Sequence, residues 1–278
     1  MFYRRYTPMP PLSALIECLW YSEGFEGTHQ RERLLPNGES GIVFDLRGER
    51  VRIYDADSPA DATRAGSFVT HAPAIFCGAR TDCFVIETSQ QERVIGIQFR
   101  PGGAFPFFAM PASEVANATY SLDDLWPGQA ASIRDALLEA DSVEAMFSIL
   151  ELALLSRFRP ASPLHPAVAF AIRRLARPGE CVRVQEVADC VGFGSRRFAE
   201  LFREQTGLSP KAFQRVRRFQ QVLRRLHRQP EDNWTEIAHG CGYYDQPHFI
   251  HDFRLFSGMT PGEYAAAATP HLNHVPLV

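Results

Sequence analysis

The residues of this chain best suited to chemistry are a few histidines and cysteines and a dense set of arginines. His248 and His251 lie three apart in "CGYYDQPHFIHDFR" (241–254), a spacing that invites a metal or catalytic reading. A metal pair needs both imidazoles on one side and further ligands nearby. At about 100° per residue on a helix, the two rings point to different sides of its outer face, and no third ligand is close in sequence. His71 with Cys77 and Cys83 could make a thiolate–imidazole site, whereas His29 is isolated. The six cysteines (Cys18, Cys77, Cys83, Cys181, Cys190 and Cys241) form no C-x-x-C pair and read as reduced, mostly buried thiols of an intracellular chain. There is no G-x-S-x-G elbow, phosphate-cradling G-x-x-x-x-G-K-[ST] loop, H-E-x-x-H helix or G-x-G-x-x-G turn. We therefore expect no enzyme activity, catalytic residue, metal or cofactor. The competing reading keeps an enzyme or metal-binding sensor domain fused to a targeting domain.

Arginine points elsewhere. Residues 1–164 carry 14 Arg and no Lys against 21 acidic residues, a net −7, while residues 165–278 carry 15 basic against 11 acidic residues, a net +4. A basic half attached to an acidic half suggests that one part alone meets a polyanion. With 278 residues, 45% of them apolar, the chain can bury two ordinary cores. No apolar run reaches the roughly 18 residues that a membrane span needs, and the N-terminus lacks a secretory pattern, so the expected location is cytoplasmic, away from membranes.

The elements that must position these residues divide in two. "LSALIECLWYSE" (12–23) places Leu12, Leu15, Ile16 and Leu19 at helical spacing and predicts an opening helix. Short β-branched or aromatic runs follow in "GIVFDL", "VRIYD", "AIFCG", "CFVIET" and "RVIGIQFR", then a Gly/Pro-shaped loop over 100–111. Helical spacing returns in "DLWPGQAASIRDALLEA" and over 142–158, the best candidate for a dimer face if it does not simply pack on its own domain. Three prolines make 159–166 a linker. The expected fold is α+β for residues 1–158, a small β-rich barrel-like sheet plus helices. An all-α domain with two helix-turn-helix units follows over 167–268.

That second part contains an internal repeat. Val187-Ala188 and Gly192-Phe193 match Ile237-Ala238 and Gly242-Tyr243 at an offset of 50. Phe198, Phe202, Gly207, Pro210 and Phe213 match Phe249, Phe253, Gly258, Pro261 and Tyr264 at an offset of 51, so the second turn holds one extra residue. Two copies exclude a solenoid. Each reads as helix, glycine turn, helix, the helix-turn-helix pattern, at about 184–206 and 234–257, with Ser195 and Asp245 as N-caps. "PKAFQRVRRFQQVLRRL" (210–226) is the helix that sets the distance between them.

Helical faces decide what each second helix touches. Phe198, Leu201, Phe202 and Gln205 share one side of the first, with Arg196, Ala199, Glu200 and Arg203 opposite. Phe249, Phe253 and Phe256 anchor the second, leaving Pro247, Ile250, His251 and Arg254 outside and Gln246 at the tip. Arginine can grip guanine O6 and N7 in a fork, glutamine can pair with adenine, isoleucine can meet a thymine methyl, and Glu200 can accept from cytosine N4 or remain a solvated charge. Arg197, Arg203, Lys211, Arg218 and Arg254 are the phosphate candidates.

"RRFAELFREQTGLSPKAF", the arginine-rich helix after it and "IAHGCGYYDQPHFIHDFRLFSGMTPGEY" resemble the DNA-binding domain of AraC/XylS-type bacterial transcription regulators. The resemblance implies seven helices, two recognition helices in neighbouring major grooves of double-stranded promoter DNA, and control of transcription. By position it makes Arg196, Ala199, Glu200, Gln246, Pro247, Ile250 and His251 the base-facing set, with Pro247 departing from the commoner polar residue. "RVIGIQFRPGGAFPFF", "PASEV" and "LDDLW" resemble an uncharacterised N-terminal domain attached to such regulators, at a position that usually senses an effector and dimerises. RNA polymerase, a small-molecule effector and a second copy of the chain are the further partners this implies. No ligand-binding residue can be carried over.

Overall fold

The computed structural model describes residues 1–25, 27, 29–56, 66–160, 163–180, 182–228, 234–267, 269 and 271–277. Cys181 and part of the linker, Ala161 and Ser162, lie outside the described residues. The β-rich part opens with β1 (Phe2–Tyr6), β2 (Ile16–Glu23), β3 (Arg31–Leu34), β4 (Gly41–Asp45), β5 (Val51–Tyr54) and β6 (Phe68–His71). It continues with β7 (Ala74–Cys77), β8 (Phe84–Glu87), β9 (Arg93–Phe99) and β10 (Thr119–Ser121), and β11 (His274–Leu277) comes from the far end of the chain. Two antiparallel sheets result, ordered β1-β2-β9-β4-β7-β10 and β11-β3-β8-β5-β6. Both are open-edged, so the barrel suggested by the strand-rich sequence is not closed.

The opening helix expected over 12–23 is not there. Leu12–Ala14 make one 3-10 turn, and the chain then enters β2, paired to β1 and β9. A bulge between Ile16 and Cys18 explains the misleading spacing. One extra residue in the strand brings Ile16 and Leu19, three apart, to the same core as Leu12 and Tyr21. β4, β5, β7, β8 and β9 fall on the five expected runs.

α1 (Leu122–Leu125), α2 (Ala130–Glu139) and α3 (Val143–Arg157) complete this part. Met146, Phe147, Leu150 and Leu154 of α3 are buried in a core with Phe44, Phe99, Phe107 and Trp126, so α3 packs on its own domain. Leu152 and Leu155, on its other side, stay exposed.

Seven helices follow among the described residues: α4 (Pro166–Leu175), α5 (Val184–Cys190), α6 (Ser195–Thr206), α7 (Pro210–Arg228), α8 (Trp234–Gly240), α9 (Gln246–Ser257) and α10 (Pro261–Ala267). α7 belongs to two cores: Phe213 packs with α4–α6, and Val216, Phe219 and Leu223 pack with α8–α10. That second core also takes in Leu35, Cys83 and Val275, so it runs on into the β-rich part. The joint is fastened by hydrogen bonds as well. β11 pairs with β3, setting Val275 opposite Arg33. Arg217 on α7 binds Glu39 at 2.8 Å, and Gln220 Nε2 donates to the Pro36 carbonyl and to Asn273 Oδ1, each at 2.8 Å.

Candidate nucleic-acid interface

Each unit is built around a glycine that lets the chain reverse. Gly192 and Gly242 have φ of +74° and +80°, left-handed values that favour glycine, and both follow a short helix whose alanine, Ala188 or Ala238, is fully buried. The next residue closes the turn in the same way in both copies: the Phe193 and Tyr243 N–H groups donate to the Ala188 and Ala238 carbonyls at 3.0 and 2.9 Å. Asp245 caps α9 as expected, accepting from the His248 N–H at 2.8 Å. Ser195 does not cap α6. It is the first helical residue, bonded through its side chain to Gln185, and Gly194 holds the cap position. The extra residue in the second turn accounts for this, because at the offset of 51 Asp245 aligns with Gly194.

The inner faces are aromatic. Phe198 and Phe202 are fully buried on α6, as are Phe249 and Phe253 on α9, with Phe219 of α7 edge-on to Phe253 at 5.2 Å between ring centres. On the outer face of α6 the Arg196 side chain is 94% exposed, and its Nε donates to Glu200 at 3.0 Å. Arg197 reaches the other Glu200 oxygen at 3.9 Å. Arg203 and Lys211 are exposed and Ala199 is half-buried. On α9, Pro247, His251 and Arg254 are exposed, Ile250 packs partly on the core, and Gln246 Oε1 accepts from the Thr235 hydroxyl at 3.3 Å.

The inserted residue is Tyr244, 87% exposed on the same turn. Helical periodicity does not mark it, because it lies on neither helix. The one-residue length difference between the copies was its only signal.

Arg218 is not where a phosphate contact would need it. Its side chain is enclosed: Nη2 binds Asp252 at 3.3 Å, Nη1 donates to the Gly242 carbonyl at 3.1 Å, and the guanidinium lies 4.2 Å from the centre of the Tyr243 ring. Asp252, fully buried on α9, also takes Arg215 at 2.6 Å, and His248 lies 3.9 Å away. A buried carboxylate must be paired or it is very costly, and this one is paired by two arginines of α7. The hydrogen bond to Asp252 holds the Arg215 guanidinium above its usual pKa, and burial pushes the Tyr243 phenol well up. Aromatic and apolar periodicity gave no sign of this cluster, since Asp252 reads as one more charge between two phenylalanines.

No group of three or more His, Cys, Asp or Glu able to hold a metal occurs among the described residues. His71 ends β6 and Cys77 ends β7, whereas Cys83 is buried in the core shared with α7. No described helix is long and apolar enough to cross a membrane.

Comparison with known proteins separates the two parts. Residues 4–121 match a domain of unknown function (DUF6597), and residues 171–267 match a helix-turn-helix domain. No curated protein matches the chain. Among solved structures, the DNA-binding domain of AdpA, a global transcriptional factor in complex with a target DNA, is similar at 30% identity. The match covers 38% of this chain and 91% of that one, with a TM-score of 0.32. A transcriptional regulator from Chromobacterium violaceum with an AraC-type DNA-binding domain is similar at 25% identity, over 38% of this chain and 96% of that one, with a TM-score of 0.35. ToxT from Vibrio cholerae, bound to an unsaturated fatty acid, covers 91% of this chain and 95% of its own at 9% identity and a TM-score of 0.48. The chain thus joins an AraC-type DNA-binding helix-turn-helix domain, residues 171–267 with their paired units, to a DUF6597 domain.

Proposed function

We propose that the chain reads two successive major grooves of promoter DNA, α6 in one and α9 in the next. The observation that carries this is the matched pair of units at the two ends of one helix. α7 spans 19 residues, about 28 Å at 1.5 Å per residue, close to the roughly 34 Å between successive major grooves on one face. Arg196, Ala199 and Glu200 face bases in the first groove, and Gln246, Pro247, Ile250 and His251 in the second. Arg197, Arg203, Lys211 and Arg254 take phosphates. Selection from a random duplex pool tests this: the enriched site has two half-sites about 10 base pairs apart. A pool left without sequence preference overturns it.

Control by a small molecule rests on the loop at 100–111. Gly102, Phe105, Phe108 and Met110 of that loop line a cavity of about 20 Å³ together with Gln205 and Thr206 at the end of α6. This volume holds about one water, so an effector enters only if the loop moves. A metabolite that raises the melting temperature and changes operator affinity supports the reading. A broad metabolite set without either effect removes it. Dimerisation would use Leu152 and Leu155 of α3 with Met9, an exposed apolar strip. Sedimentation of Leu152→Glu against the parent chain tests that role, and identical masses rule it out.

A further inference from the structure

The last carbonyls of a helix have no partner within it, so whatever binds them fixes where that helix ends. In α9 the Gly258 N–H satisfies the Arg254 carbonyl at 2.8 Å. The Ser257 carbonyl is satisfied from outside the helical part altogether, by Arg33 Nη1 of β3 at 3.2 Å. The other terminal nitrogen, Nη2, donates to the Ala56 carbonyl just beyond β5 at 2.9 Å. One planar guanidinium thus bridges the backbone of the β-rich part to the end of the second recognition helix. Its charge also meets the negative end of the helix dipole.

α6 has the same terminal motif without the arginine. The Thr206 hydroxyl donates to the Phe202 carbonyl at 2.8 Å and accepts from the Leu208 N–H at 3.3 Å. The Ser257 hydroxyl does the same with Phe253 and Met259 at 2.6 and 3.3 Å. The end of α6 rests on the 3-10 turn Ala112–Glu114, and Gln205 Oε1 accepts from the His165 N–H at 2.8 Å. Among the described residues, no charged side chain from the β-rich part bonds there. The repeat is symmetric inside each unit and asymmetric where it meets the rest of the chain.

We propose that Arg33 is a positioning residue for the second half of DNA recognition. It sets the end of α9, and hence the tilt at which Gln246, Pro247, Ile250 and His251 enter the groove, without touching DNA itself. Its strand is held on one side by β8 and on the other by β11, and its second hydrogen bond reaches the backbone between β5 and β6. A change of state in the β-rich part therefore reaches the second reading helix by one side chain.

This rests on the two-groove reading, and one experiment separates the two claims. Hydroxyl-radical footprints and equilibrium titrations are run with the full chain on the selected duplex, and on a duplex whose α9 half-site is scrambled. The parent protects both half-sites. Arg33→Ala keeps the α6 footprint, loses the α9 footprint and weakens full-site binding about fivefold to thirtyfold, the loss expected from one or two kcal/mol. On the scrambled duplex it changes affinity by less than about twofold. Arg33→Lys recovers part of the loss, because an ammonium can serve Ser257 but cannot bridge to Ala56 in the same fork. If Arg33→Ala melts below the assay temperature, Arg33→Gln gives the same comparison with one donor kept. A parent footprint over one groove overturns the two-groove reading and this inference with it. A two-groove footprint that Arg33→Ala leaves intact, or equal weakening on both duplexes, overturns the inference alone.

Discussion

Replacing Arg218 by alanine separates a phosphate contact from a buried strut. The side chain is 10% exposed and meets Asp252 at 3.3 Å, the Gly242 carbonyl at 3.1 Å and the Tyr243 ring at 4.2 Å. Breaking a buried ion pair costs about 3–5 kcal/mol when the remaining charge is left unpaired. Here Asp252 keeps Arg215 at 2.6 Å, which places the loss near the lower end, about 3 kcal/mol. The assay is urea unfolding of the full chain beside DNA titrations over a range of salt, at a temperature where the variant is folded. We expect a lower urea midpoint and an unchanged slope of log K against log salt. A phosphate ligand gives the opposite pair: an unmoved midpoint and a slope shallower by about 0.9. That result refutes the placement of Arg218 as a support for α9.

Arg196→Ala should leave the unfolding free energy within about 0.5 kcal/mol, since its partner among the described residues, Glu200, is on the same exposed face. It should cost about 1–3 kcal/mol of preference at one position of the site, read by competition with single-base variants. Glu32 carries a pH prediction. Burial would raise its carboxyl, but hydrogen bonds from His274, Gln91 and His29 outweigh burial and bring it to about 2, against 4.5 unperturbed. A depressed carboxylate stabilises fully above about pH 4.5, and its contribution is lost as pH falls toward 2. Glu32→Gln should therefore remove up to about 3 kcal/mol at neutral pH and flatten the acid limb of the stability curve. A variant that unfolds in acid as steeply as the parent contradicts it.

The helical part was legible because its repeat is written in residues with narrow tolerances. Glycines at positive φ and phenylalanines buried three or four apart leave little else to build. The β-rich part was legible in its central strands, where both flanks are paired and the residues are β-branched or aromatic. It was misread at 12–23, where a bulge gave a strand the spacing of a helix. The short strands β3, β6, β10 and β11 carry at most two or three apolar residues in a row, and among the described residues β11 pairs with β3 alone. Contacts across long sequence distances, such as Arg33 with Ser257 or Glu39 with Arg217, leave no local pattern. Such contacts decide how the two parts meet.

The same bookkeeping of charge fixes how steeply DNA binding should respond to salt. The net +4 of residues 165–278 and seven Lys and Arg residues on α7 suggest a broad electrostatic footprint. Much of that charge is already committed. Arg215 and Arg218 hold Asp252, Arg217 holds Glu39, and Arg225 donates to the Glu236 carbonyl at 3.3 Å. Of the phosphate candidates, Arg197, Arg203, Lys211 and Arg254 are exposed on or beside the reading helices. Four neutralised phosphates give a log–log salt slope of about −4 per chain, at roughly 0.9 released ions each. Titration on the selected duplex between about 50 and 200 mM salt measures it directly. A slope near −8 would mean that further basic residues meet the backbone, whether the exposed Arg224 and Arg228 of α7 or arginines now paired within the protein. Only if Arg217 is among them does its bond to Glu39, across the joint between the two parts, have to break each time the protein meets DNA.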